Sequence, residues 1–163
     1  MPDPDPDARP EPARFDHEPA EGVRVMAQPD AAGLRRLAAA GVRTVVNLRH
    51  AGEDARPLSI EAEGDLCRRL GVDYVNLPVS MKTAGPDLAD AFGRLLAAAR
   101  EDGPVAVHCR LGQRAGAMVL ISIARHLGWD GPRALAEAER LGLGYCVEPE
   151  SLRAYVQRCL AAK

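Results

Sequence analysis

A chain of 163 residues with 47% apolar and 27% charged side chains is long enough for one folded domain with a sizeable core. Its net charge of -2 excludes the strong basic stripe of a nucleic-acid binder, and no apolar stretch approaches the ~20 residues of a membrane span. The balance is uneven: residues 1–21 hold seven acids and two bases, and the rest holds sixteen acids and nineteen bases, a mildly basic body that suits an anionic substrate.

The first twenty residues hold six prolines and alternate Pro with Asp. Such a segment cannot bury a core, so residues 1–21 are read as a disordered tail and 22–163 as a single folded domain. Met1-Pro2-Asp3-Pro4-Asp5 has neither the basic nor the apolar region of a signal peptide. With no span in the sequence, this predicts a cytoplasmic protein without a membrane partner, in a compartment where thiols stay reduced.

Beyond the tail, Val23 to Met26 reads as a short strand. Asp30 caps a helix running to Ala40, and Gly41 stops it. Val42 to Leu48 reads as a buried strand, followed by a loop from His50 to Leu58. Ser59 caps the next helix, whose Ile60, Leu66 and Leu70 share a face, and Gly71 ends it. Val72 to Leu77 is the following strand. Pro86 suits the first turn of a helix to about Arg100, and Asp102-Gly103-Pro104 marks a turn. Val105-Ala106-Val107 is a buried strand leading into a loop. The segment from Ala115 to Leu127 is apolar nearly all round, as expected of a buried helix. Pro132 and Pro149 open two more helices, the last with Leu152, Tyr155, Val156 and Leu160 inward. Strands alternating with helices predict an α/β domain with a central, mainly parallel sheet of four to five strands flanked by helices, its ligand site beyond the strand C-termini.

The loop His108-Cys109-Arg110-Leu111-Gly112-Gln113-Arg114 carries the chemistry. It lies between a buried strand and a buried helix. A helix N-terminus offers unpaired N–H groups and partial positive charge to an anion. The same surroundings favour the thiolate, the reactive form of cysteine. Gly112 permits a tight turn, and Arg114 presents a planar fork that matches two phosphate oxygens. Cys109 as nucleophile and Arg114 as anion clamp are the candidate catalytic residues. His108, Arg110, Leu111, Gly112 and Gln113 are the candidate substrate-binding residues of the loop, with His108 orienting it and Arg110 facing solvent or steering substrate.

This loop resembles the signature of cysteine-dependent phosphatases of the protein tyrosine and dual-specificity type, which begins His-Cys and closes on Arg. Those enzymes usually place five residues between Cys and Arg, and here there are four; Ala115 stands where they usually carry Ser or Thr. The four-residue spacing also resembles the rhodanese sulfurtransferases. The flanks resemble the phosphatases: Ala115 to Leu143 is similar to the helical pair that follows the dual-specificity loop. Ala27-Gln28-Pro29, then Gly41-Val42-Arg43-Thr44-Val45-Val46-Asn47-Leu48-Arg49 and Gly52-Glu53, resemble the bacterial beta-lactamase-hydrolase-like phosphatase domain family, which also carries the shortened loop. The resemblance covers about residues 22–160 and implies a cysteine phosphatase fold of the dual-specificity type. It implies hydrolysis of phosphomonoesters through a phosphocysteine, with a phosphorylated protein or a small phosphorylated metabolite as partner and no cofactor.

A phosphatase also needs a proton donor for the leaving oxygen. Dual-specificity enzymes often supply an Asp from the loop after the strand equivalent to Val72–Leu77. The first acid there is Asp87, just inside a helix, where capping alone favours Asp. Glu53 and Asp54 are rivals, as is the absence of any acid. Cys67, Cys109, Cys146 and Cys159 form no close Cys-x-x-Cys pair, so no metal site is expected. Trp129, Tyr145 and Tyr155 are too few and scattered for a base-stacking platform, so nucleic acid is not an expected partner. Two alternatives stay open from the loop alone: a sulfurtransferase carrying a persulfide on Cys109, and a non-catalytic anion-binding module.

Overall fold

Local signals fix the helix starts. In the computed structural model, which describes residues 16–161, the Asp30 carboxylate accepts the N–H of Gly33 and opens helix α1 (Ala31–Ala39). The Ser59 hydroxyl accepts the N–H of Ala62 and opens α2 (Ile60–Arg69). Pro86 stands at the start of α3 (Pro86–Glu101). Helix α4 (Gln113–Leu127) begins at Gln113, two residues ahead of the apolar run, because Gly112 and not a side chain ends the loop. Helices α5 (Gly131–Ala138) and α6 (Glu150–Cys159) follow, the last among the described residues. A single 3-10 turn (Gly144–Cys146) between them has no periodic signal in the sequence.

Among the described residues five strands form one sheet in the order β1-β2-β5-β3-β4: β1 (His17–Ala20), β2 (Val23–Met26), β3 (Thr44–Asn47), β4 (Asp73–Asn76) and β5 (Val105–His108). All neighbours run parallel except β1 and β2. The strand β1 corrects the reading of residues 1–21 as a tail. His17–Ala20 pairs with Val23–Met26 across the turn at Glu21-Gly22, so the folded domain begins before residue 22. Main-chain pairing to an edge strand needs little apolar content, which is why composition did not reveal it. Residues 1–15 of the expected tail lie outside the described residues.

Alternation along the strands builds two cores. Val25, Val46, Val105 and Val107 face α3 to α6, with Phe92, Met118, Leu120, Ile121 and Tyr155. Met26, Val45 and Ala106 face α1 and α2, with Leu34, Leu37 and Leu66. Central β5 is therefore buried on both faces, as parallel strands are. Its register sets Met26 and Asn47 on either side of His108, so the loops leaving β2, β3 and β5 converge beyond one strand end. Among the described residues no helix is long and apolar enough to cross a membrane.

Candidate active site

Cys109 leaves the end of β5 almost fully enclosed, at 1% exposure. Its sulfur is not turned into hydrocarbon: Sγ accepts the N–H of Gly112 at 3.1 Å. That bond requires the chain to fold back within three residues, which Gly112 permits with φ of +91°. The Gly112 carbonyl accepts the N–H of Gly116 at 2.9 Å, the first α4 bond of its kind. The N–H groups of Gln113, Arg114 and Ala115 precede it and have no carbonyl to meet within the helix. A short loop thus gathers a sulfur, a helix N-terminus and N–H groups that lie outside the helical ladder.

Arg114 is fixed from two other elements. Its Nη1 donates to Glu53 Oε2 at 2.9 Å and to the Val79 carbonyl at 2.8 Å, and its Nη2 meets Glu53 Oε1. The loops after β3 and β4 are thereby tied to the loop after β5. Burial opposes the guanidinium charge, but Glu53 and the Cys109 sulfur outweigh it and hold its pKa above the ordinary value. For Glu53 burial would favour the neutral acid; the Arg114 hydrogen bond and the His50 N–H, at 2.7 Å, outweigh burial and lower its pKa.

These pairings bear on the missing proton donor. Glu53 is an ionised acceptor committed to Arg114. Asp54 is engaged by Arg56, whose guanidinium and N–H hold its carboxyl well below the usual carboxylate range. Neither holds a proton to give. Asp87 is exposed in the first turn of α3, on the segment that starts at the Arg114-bound Val79.

The remaining loop residues separate by exposure. Arg110 is exposed and Leu111 is 53% exposed, both at the loop's outer rim, while Gln113 is half-buried. For His108 the structure corrects the expectation of a substrate-binding residue. It is fully buried, with Nε2 against Glu63 Oε1 and Nδ1 3.2 Å from the Cys109 carbonyl, so both nitrogens face protein and not a ligand. A strand-end residue on a parallel sheet is flanked by neighbours on both sides, which is what encloses it.

Sequence reasoning missed the carboxylate behind the loop. Glu63 is fully buried on α2. Besides His108 it accepts from Gln28 Nε2 at 2.9 Å, Asn47 Nδ2 at 3.3 Å and Arg49 Nη2 at 3.3 Å. Asn47 also donates to the Tyr74 hydroxyl at 3.0 Å, and Arg49 donates to the carbonyls of Asp54 and Leu58. A signal existed: Glu63 lies one turn after Ile60 and one before Cys67, so it is a charge on the apolar face of α2. Among the described residues no three His, Cys, Asp or Glu side chains gather as a metal site would require.

Comparison with known proteins agrees with this architecture. Residues 19–127 match the family model described as beta-lactamase hydrolase-like protein, phosphatase-like domain. The beta-lactamase hydrolase-like protein of Xylella fastidiosa is 31% identical over 129 residues, 78% of this chain and 30% of that protein. The corresponding protein of Agrobacterium fabrum is 33% identical over 95 residues, 58% of this chain and 22% of that protein. The chain thus spans less than a third of the length of these relatives. Among solved structures, P. aeruginosa TpbA superposes with a TM-score of 0.66 at 26% identity, covering 86% of this chain and 80% of that one. A crystal structure of a cysteine-to-serine variant of TpbA is a complex with pTyr. The active form of Tk-PTP superposes at a TM-score of 0.73 with 22% identity, covering 89% of this chain and 95% of that one, a likeness of fold.

Proposed function

This chain belongs to the phosphatase-like domain family of beta-lactamase hydrolase-like proteins, and from that premise we propose that it hydrolyses phosphomonoesters with Cys109 as nucleophile. The observation that carries the reading is the Cys109 sulfur held by the Gly112 N–H at 3.1 Å, beside a guanidinium fixed by Glu53 and Val79. In the first step the sulfur attacks phosphorus, an S–P bond forms and the ester P–O bond breaks. Arg114 and the loop N–H groups hold the equatorial oxygens, where charge spreads in the transition state. Water then attacks the phosphocysteine and releases phosphate and the thiolate.

The substrate class follows from the proton inventory. With Glu53 and Asp54 held ionised, the leaving oxygen draws its proton from Asp87 or from water. Water suffices for a stable leaving anion, so aryl phosphates, phosphotyrosine included, are the favoured substrates. The pTyr in TpbA supports the same class. The partner is a phosphorylated protein or a small phosphorylated metabolite, met in the cytoplasm where the thiol stays reduced.

A specific observation favours a second reading. Ala115 is fully buried and brings no hydroxyl to help the sulfur leave, and the Cys-x4-Arg spacing suits a persulfide carrier. One paired assay decides. Purified protein and Cys109→Ser are given p-nitrophenyl phosphate and, separately, thiosulfate with cyanide. Phosphate release that is lost in the variant supports the phosphatase. Thiocyanate formation without phosphate release overturns it in favour of sulfur transfer. Neither activity, with phosphate binding retained, leaves an anion-binding module.

A further inference from the structure

An anion cradle made of main-chain N–H groups has a geometric condition. The carbonyls of the same peptides must be held away from the anion, each by a donor of its own. At Cys109 and Arg110 those donors are identifiable. His108 Nδ1 lies 3.2 Å from the Cys109 carbonyl oxygen, and the main-chain N–H of Gln28 donates to the Arg110 carbonyl oxygen at 3.0 Å. The two donors come from different strand ends, yet both side chains end on one group. His108 Nε2 meets Glu63 Oε1, and Gln28 Nε2 donates to Glu63 Oε2 at 2.9 Å. A single carboxylate thus brackets the nucleophile, from the residue before it and from the partner of the residue after it.

We infer that Glu63 is a positioning residue for Cys109, acting through His108 and Gln28 to turn the carbonyls of residues 109 and 110 outward and keep the loop N–H groups on the side of the sulfur. The inference rests on the loop being an anion cradle, as proposed above, and not on which anion reacts there. Packing alone gives no reason for a carboxylate here. Glu63 and Arg49 are among the few charged groups buried in the domain, and a buried charge is costly unless every partner is in place. Two apolar side chains would join α2 to β5 at lower cost. What they could not supply is two acceptor oxygens aimed at donors on separate loops. Glutamine is nearly the same shape, but it is neutral and has one acceptor oxygen for Gln28, and its NH2 can meet His108 Nε2 only where that nitrogen carries no proton. Glu63→Gln therefore removes the charge that His108 leans on, or breaks that contact, without opening a cavity.

The test reads the cradle directly. Cys109 is alkylated with iodoacetate and with iodoacetamide at one pH, the modified peptide is quantified by mass spectrometry, and the ratio of the two rate constants is taken. An inward ring of N–H groups favours the anionic reagent over the neutral one. Simple loosening of the fold exposes the sulfur to both alike. The unaltered chain is expected to prefer iodoacetate, and Glu63→Gln to lower that ratio by about tenfold, with kcat toward an aryl phosphate falling about 10²-fold and KM changing less. Preference retained in Glu63→Gln overturns the role of Glu63 and leaves the phosphatase reading standing. No preference in the unaltered chain overturns the cradle and this inference together. If thermal melting shows that Glu63→Gln does not fold, Gln28→Leu carries the test, because it severs one side only and lies on a half-buried loop. An unchanged ratio in that variant likewise overturns the inference.

Discussion

The guanidinium of Arg114 and the carboxylate of Glu53 meet through two side-by-side contacts between the first turn of α4 and the loop after β3. The pair keeps a long cationic side chain in one place. A fixed fork stabilises a developing phosphoryl charge without reorganising, whereas a free one must first be ordered. Glu53→Gln keeps the size and removes the charge. It is expected to lower kcat/KM for an aryl phosphate by about 10²-fold, seen in steady-state kinetics, with Cys109 still alkylated.

The same pair sets an acid limit on stability. The pKa of Glu53 lies below its ordinary 4.5 in the folded protein, because Arg114 and the His50 N–H outweigh the effect of burial. A carboxylate with a lowered folded pKa contributes stability that is present above the unfolded value and lost as pH falls through the folded one. Thermal melting should therefore show Glu53→Gln less stable than the natural chain by about 2 kcal/mol near pH 7. The gap should narrow as the pH is brought well below 4.5. A gap that stays constant on acidification would show that the loss comes from packing.

The path from sequence to site can be followed residue by residue. Asp30, Ser59 and Pro86 open their helices as expected, because capping is decided within one turn of chain. The alternation at Val45, Val46, Ala106 and Val107 defines both sheet faces. The loop from Cys109 to Arg114 stands out because a cysteine, a glycine and an arginine fall within six contiguous residues between a strand and a helix. What stays hidden depends on chain closure over long separations. Glu53 reads as a candidate acid until Arg114 is seen to hold it, and Glu63 shows in the sequence only as a charge on the apolar face of α2 until Gln28, Asn47, Arg49 and His108 are seen to meet on it. The strand His17–Ala20 is hidden for another reason: its pairing to Val23–Met26 is made by the main chain, on which composition is silent.

The proton donor has its own test. Asp54 is occupied by Arg56 and committed to that pair, so Asp54→Asn should leave kcat within about threefold. Asp87→Asn separates the two remaining sources. If Asp87 protonates the leaving oxygen, the variant should lose about 10²-fold toward alkyl phosphates and far less toward p-nitrophenyl phosphate, whose leaving anion needs no proton. Equal, small effects on both substrates would assign the proton to water.

The 3-10 turn that carries Cys146 limits what α4 tolerates. A Cβ added at Gly116 would stand 1.8 Å from Cys146 Sγ and 3.3 Å from Leu143 Cδ2, both in the core. Gly116→Ala gains helix propensity but overpacks this contact. It should cost about 1–3 kcal/mol in denaturant unfolding. Because Gly116 also donates to the Gly112 carbonyl, the shift reaches the loop, and turnover should fall with stability. The paired change Gly116→Ala with Cys146→Ala, which removes the clashing sulfur, should restore both.

Ala115 sits fully buried beside Arg114 in the first turn of α4, at the position where related phosphatase loops usually carry a hydroxyl. A hydroxyl there would donate to the sulfur as the S–P bond breaks, stabilising the departing thiolate in the second step only. With an aryl phosphate that reacts quickly, the natural chain should show a burst of phenolate equal to the enzyme, then a slower steady rate set by phosphocysteine hydrolysis. Ala115→Ser should leave the burst rate unchanged and raise the steady rate by about tenfold or more. Rapid-mixing absorbance of the phenolate separates the two phases. A natural chain with no burst, and a serine variant with no gain, would place the slow step before the phosphocysteine and remove the hydroxyl from consideration.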